Sequence, residues 1–209
     1  MGSPVAAVRA ERRSQAERRE EAEARLLKAA IALVAERGLD RLTLADVGEA
    51  AGYSRGLPAH YFGSKAGLIV TLAQRLVEGF GQALDGVEHH ALGLERLLGI
   101  VAFYLDSARK DPVGARALLV LLGDGLSNDL VRDQLAALNA RSVKAFETNL
   151  AAAIERGEAR ADIEVGAQAI LILAALRGAV SQWQLAPKRI DLARVRDEMV
   201  ASLKRSLAA

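Results

Sequence analysis

The chain has 209 residues, 51% hydrophobic and 26% charged, with 28 basic and 26 acidic residues and a net charge of +2. This is the balance of an ordinary soluble globular protein, long enough for a small domain and a larger one. It has no cysteine, which excludes a disulfide frame, a thiolate metal site and a cysteine nucleophile.

Residues 1–14 lack periodicity and carry Arg9, Arg12 and Arg13. They read as a mobile basic arm, with no apolar core of a secretory signal. A first helix is expected from about Gln15 to Arg37, with Leu26, Leu27, Ala30, Ile31, Leu33 and Val34 on its apolar face and Gly38 as its cap. Thr43 opens the next helix, with Asp46 completing a capping box, and Leu44, Val47 and Ala51 fall on one face. Gly52 stops it. Ser54 is the next N-cap candidate, and Gly63 with Ser64 repeats the stop and start. Two short helices joined by a tight glycine turn, the second basic at its first turn, form a helix-turn-helix pattern with a recognition helix over about Arg55 to Tyr61. The helix starting at Ser64 continues past Phe80, as a strut between the two halves.

Gly52-Tyr53-Ser54-Arg55-Gly56 followed by His60-Tyr61-Phe62-Gly63-Ser64-Lys65 resembles the DNA-binding signature of the TetR/AcrR family of bacterial regulators, over about residues 20–75. Pro58 stands where that family usually has Leu or Ile, and Ala59 where it usually has Tyr, which removes a phosphate-contacting phenol. With Ser54 as N-cap, Pro58 is the fourth helical residue, so a distorted first turn is expected. The residues expected at DNA are Thr43, Ser54, Arg55, Gly56, Leu57, His60, Tyr61 and Lys65. Arg55 suits a guanine edge or a phosphate, Lys65 a phosphate and Leu57 a thymine methyl. Tyr61 suits a phosphate or packing against Phe62, itself expected in the core.

Residues 1–65 hold 11 basic and 9 acidic residues and the remainder 17 of each, so the small positive excess lies in the DNA-binding half. Domains are expected at 15–66 and 67–209. Beyond the strut, helices are expected at about 92–109, 112–122, 128–156, 165–185 and 192–207, making the fold all-α. Ala167 to Val180 is apolar nearly all round, which requires cover on two faces and predicts a homodimer. Arg177 interrupts that stretch, so no membrane-spanning helix is expected.

Three histidines, His60, His89 and His90, do not make a metal site: His60 falls on the recognition helix and the adjacent pair reads as a solvated loop. Gly52 to Gly56 also matches G-x-S-x-G, with Asp85 and His89 or His90 following in hydrolase order. The pattern needs a strand before Ser54, where the sequence reads as helix, so no catalytic residue is assigned. The resemblance implies a cytoplasmic repressor that binds double-stranded, near-palindromic operator DNA as a homodimer. It also implies release by a small effector in the larger domain, with no cofactor. A lining of Phe, Leu and Ala suits a mostly apolar effector, with Phe103 and Phe146 as liners and Asn139 and Arg177 as polar anchors. The alternative is a helical sensor or scaffold that does not bind DNA.

Overall fold

The computed structural model describes the backbone of residues 4–85 and 91–209 and the side chains of residues 15–76 and 91–209. His89 and His90 lie outside the described residues, as do the side chains of Phe80, Asp85 and the three N-terminal arginines. The described chain is all helical apart from turns and one isolated bridge between Ala159 and Ala208. It divides into two compact units between Leu72 and Ala73, six residues beyond the expected boundary, because the apolar residues Leu68, Ile69 and Leu72 at the start of the fourth helix are buried with the first unit.

The N-terminal unit holds α1 (Pro4–Arg37), α2 (Leu44–Ala50), α3 (Leu57–Phe62) and the beginning of α4 (Lys65–Asp85). The expected arm at residues 1–14 gives way from Pro4 onward to the first turns of α1. That segment is built largely from Ala, Arg and Glu, which favour helix without any apolar stripe, and proline at the first helical position costs no hydrogen bond. Leu26, Leu27, Ala30, Leu33 and Val34 are buried as expected, while Ile31 is half-buried. Gly38, at φ 79°, turns the chain out of α1, and its N–H reaches the Val34 carbonyl at 2.9 Å.

The C-terminal unit holds the rest of α4, then α5 (Leu94–Lys110), α6 (Pro112–Asp124), α7 (Asp129–Glu155), α8 (Val165–Leu185) and α9 (Leu192–Leu207). Four of these begin on acceptor side chains: Asp111 for α6, Asn128 for α7, Glu164 for α8 and Asp191 for α9. Each supplies the free N–H groups of a first turn with a partner. α5 lies along α9, and α7 along α8. One continuous core runs through them, with Leu97, Val101, Leu105, Leu150, Ile172 and Leu176 almost without solvent contact.

α8 departs from expectation in one respect. Its 21 residues are long and apolar enough, by length and composition, to cross a membrane. Arg177 does not lower the mean hydropathy enough to prevent that. Ala169, Ile172, Leu173, Leu176 and Val180 of the same helix are buried in the unit's own core. Its other face carries Ile170 at 58% exposure and Leu171 at 62%.

Candidate nucleic-acid interface

Thr43 sets the entry to α2. Its backbone is extended and its Oγ1 accepts from the Asp46 N–H at 3.1 Å. Of the expected capping box, this is the half that forms among the described residues. α2 ends as the sequence requires. Gly52 takes φ 78°, its N–H reaches the Glu49 carbonyl at 3.0 Å, and the Tyr53 N–H reaches Gly48 at 2.8 Å. These two bonds make a Schellman stop, which fixes the direction in which the chain leaves α2.

The recognition helix starts later than expected. α3 runs from Leu57 to Phe62, with Gly56 at the N-cap and no side chain capping it. Ser54 is therefore not the N-cap; its carbonyl accepts the Leu57 N–H at 3.1 Å, closing the turn ahead of the helix. The two-residue shift places Pro58 at the second helical position, where the N–H has no intrahelical partner to lose. The expected distortion of the first turn therefore has no cause. Pro58 is the buried residue of α3, and Phe62, expected in the core, is only half-buried. The short ring of Pro58 fits against α2 and takes the inward position.

Gly48 makes that fit possible, and sequence reasoning passed over it. A Cβ at Gly48 would lie 2.5 Å from the Ser54 carbonyl oxygen and 3.2 Å from both Arg55 Cα and Pro58 Cδ. The turn and α3 thus rest directly on the α2 backbone. The available signal was a glycine inside a short, otherwise well-capped helix, a position that costs about 1 kcal/mol relative to alanine unless packing requires it.

Arg55, Gly56, Ala59 and His60 are exposed, Leu57 and Tyr61 half-buried. These residues share one short element and its approach, so the structure brings together most of the expected DNA contacts. Thr43 and Ser54 are exposed on the flanking turns. Arg55 Nε lies 3.0 Å from Glu49 Oε1, with both side chains more than half exposed. Tyr61 stacks edge-on to His60, and the Arg19 guanidinium from α1 stands 5.8 Å over the Tyr61 ring, a cation–π contact that orients α3 against α1. Lys65 donates to the Asp40 carbonyl at 2.8 Å. It ties α4 to the loop after α1 with one of its three donors.

Ser54 does not occupy a nucleophile elbow. Helix α2 and a turn precede it, whereas the elbow needs a strand. Among the described residues, no cluster of three or more His, Cys, Asp or Glu could hold a metal.

In the C-terminal unit, the four residues expected at an effector are distributed unevenly. Phe146 is buried in the core and Phe103 half-buried. Asn139 is exposed on α7 and accepts from Arg177 Nη1 at 2.7 Å. Burial holds the Tyr104 phenol above its ordinary value, and the adjacent Arg177 guanidinium partly offsets this by its charge and a hydrogen bond. Tyr104, Arg177 and Asn139 therefore link α5, α8 and α7 through one guanidinium. Tyr104 was not among the expected residues, because an aromatic in a helical stripe reads as ordinary core.

A capped helix, a glycine-fixed turn that carries the exposed Arg55, and a short helix with Ala59 and His60 exposed define a helix-turn-helix DNA-binding regulator. Residues 26–72 match the family described as bacterial regulatory proteins, tetR family, and residues 93–208 match the C-terminal domain of BetI-type transcriptional repressors. The chain belongs to the TetR family of transcriptional regulators. It is 28% identical to the regulator BetI of Serratia proteamaculans over 165 residues, covering 74% of this chain and 81% of BetI. To the regulator TtgR of Pseudomonas putida it is 27% identical over 176 residues, covering 81% of this chain and 83% of TtgR. Its fold matches that of FadR from Bacillus subtilis, solved in complex with stearoyl-CoA, with a TM-score of 0.75 and 17% identity over 87% of this chain and 97% of FadR.

Proposed function

We propose that this regulator is a cytoplasmic repressor that holds a near-palindromic operator as a homodimer and releases it when a small, mostly apolar molecule occupies the C-terminal unit. The observation that carries the reading is the exposed surface of α3 and the turn before it, with Arg55 exposed on the turn and His60 exposed on the helix, on a backbone fixed by Gly48 and Gly52. Arg55 reads a base edge or a phosphate, while Thr43, Ser54, Gly56, Leu57, Tyr61 and Lys65 surround it. Of these, Lys65 binds phosphate with the donors that Asp40 leaves unused.

Dimerisation follows from α8. Its uncovered face of Ile170, Leu171 and Ala174 is too apolar to remain in water, and small residues there permit close helix approach. Leu171→Glu converts a dimer to monomers in light scattering if this face is the interface; an unchanged dimer places the interface elsewhere. Phe103 and Phe146 are the proposed effector liners, with Arg177 and Asn139 as polar anchors. Effector binding lowers operator affinity because the effector binds more tightly to a conformer with misplaced recognition helices.

The decisive experiment is a gel-shift titration on the DNA upstream of the gene, across salt concentrations. Specific binding is expected, with Lys65→Ala weakening all sequences alike and reducing the salt slope by about one unit. Binding no tighter than to random DNA overturns the operator reading. A thermal-shift screen of apolar metabolites, repeated with operator present, tests the effector. A true inducer loses affinity for the protein by the same factor by which it weakens DNA binding.

A further inference from the structure

Where α8 gives way to α9, the chain forms a groove of about 380 Å³, lined by Arg109, Trp183, Pro187, Lys188, Arg189 and Asp191 among others. It shares no residue with the proposed effector contacts. Its frame is built. The Arg189 N–H reaches the Ala186 carbonyl at 2.9 Å and the Ile190 N–H reaches the same oxygen at 3.0 Å. Pro187 stiffens the turn further. Trp183 is half-buried, packed against the domain core, and contributes to the groove wall.

The charges of the groove are unequal in availability. Its one carboxylate, Asp191, is already engaged: it accepts from the Ala193 and Arg194 N–H groups at 3.0 and 3.4 Å and lies 3.5 Å from Arg194 Nε. The cations are held loosely. Arg109 stands 3.6 Å from Asp106, a carboxylate that Arg196 grips at 2.7 Å, so Asp106 keeps a partner if Arg109 turns away. Lys188 and Arg189 are exposed and form no ion pair among the described residues. Three loosely held cations thus surround an aromatic and proline wall in a groove whose negative charge is satisfied.

We propose that this groove is a second small-molecule site, for an organic acid with a flat apolar body. The ring would lie on Trp183 and Pro187, and the carboxylate would face Lys188, Arg189 and Arg109. The volume lies at the small end of ligand pockets, which fits a single ring with a short acidic side chain. A guanidinium pairs with a carboxylate bidentately, and a planar ring gains from stacking on indole. Inorganic phosphate would use the charges but not the wall.

The protein carries its own reporter, because Trp183 is its one tryptophan. The full-length dimer or monomer, as it exists in solution, is titrated with 3-phenylpropionate while indole emission is followed. A saturable blue shift is expected. The neutral 3-phenylpropanamide and the Lys188→Ala/Arg189→Ala double variant should each bind about tenfold more weakly or worse. Both replaced side chains are exposed, so the variant keeps its fold, which circular dichroism checks. Emission that stays flat up to roughly 10 mM acid, where even weak binding by a ligand of this size would register, overturns the proposal. Equal affinity for the amide, an unaffected double variant, or an equal response to phosphate alone does the same.

Discussion

The two units of this chain reach their folds by different means. In the N-terminal unit, α2 and α3 have seven and six residues, too short to be stable alone. Position there is dictated by single residues: Thr43 starting a helix, Gly52 stopping it, Gly48 admitting the turn. In the C-terminal unit, helices of 13 to 27 residues enclose a broad leucine-rich core. A surface that must present a few side chains to a groove in DNA gains from backbone constraint. A domain that must respond to a ligand gains instead from a broad packed interior, which long amphipathic helices provide.

The contrast can be tested by substitution. The largest effect should come from the C-terminal core. Leu150 is fully buried, so Leu150→Ala should cost about 2–5 kcal/mol in urea denaturation. An equal loss from Val47→Ala, in the N-terminal unit, would erase the distinction. Next comes Gly48→Ala. A methyl group 2.5 Å from a carbonyl oxygen forces α2 and α3 apart, at about 1–3 kcal/mol. Operator affinity should fall with it, although Gly48 touches no DNA. Unchanged stability and binding would show that the turn does not need this close approach.

Arg55→Ala should cost about 1–3 kcal/mol of operator binding and relax preference at one base position. Its fold stability should scarcely change, since the ion pair to Glu49 is exposed. Competition gel shifts with single-base operator variants measure this; wild-type behaviour would move the reading residue from the turn onto α3 itself. The smallest effect belongs to the cap. Thr43→Ala removes the acceptor of the Asp46 N–H and should cost about 1 kcal/mol, with Thr43→Asn restoring most of it. Thermal unfolding followed by helical circular dichroism gives the comparison.

What was legible in the sequence follows the same division. The stops at Gly38, Gly52 and Gly63 and the start at Thr43 are local chemistry, so they stood in plain view. The start of α3 did not, because Ser54 and Gly56 both satisfy N-cap rules, and only the packing of Pro58 against Gly48 chooses between them. In the larger unit, helix positions were readable from periodicity and caps, including Pro112 and Asn128. The side-chain network was not. That Arg177 meets Asn139 and Tyr104 depends on the rotation of three helices about their axes, which a stripe of Leu and Ala leaves undetermined. The groove at Trp183 was equally hidden, since Arg109 joins it from 74 residues away in the chain.

If Arg55 reads the operator as proposed, its ion pair with Glu49 bears on recognition. A regulator must find one site among a vast excess of other sequence, and each cation that sticks to any phosphate prolongs its stay at wrong sites. Glu49 already supplies Arg55 with one exposed anionic partner, so on the proposed reading exchange for a single phosphate would gain less than it would for a free guanidinium. A guanine edge presents two acceptors to the guanidinium fork and exceeds that offer. On the same reading the carboxylate would offset one cation in non-specific binding, and with it part of the salt dependence. Glu49 would then shorten residence on the wrong DNA while leaving the right contact worth making.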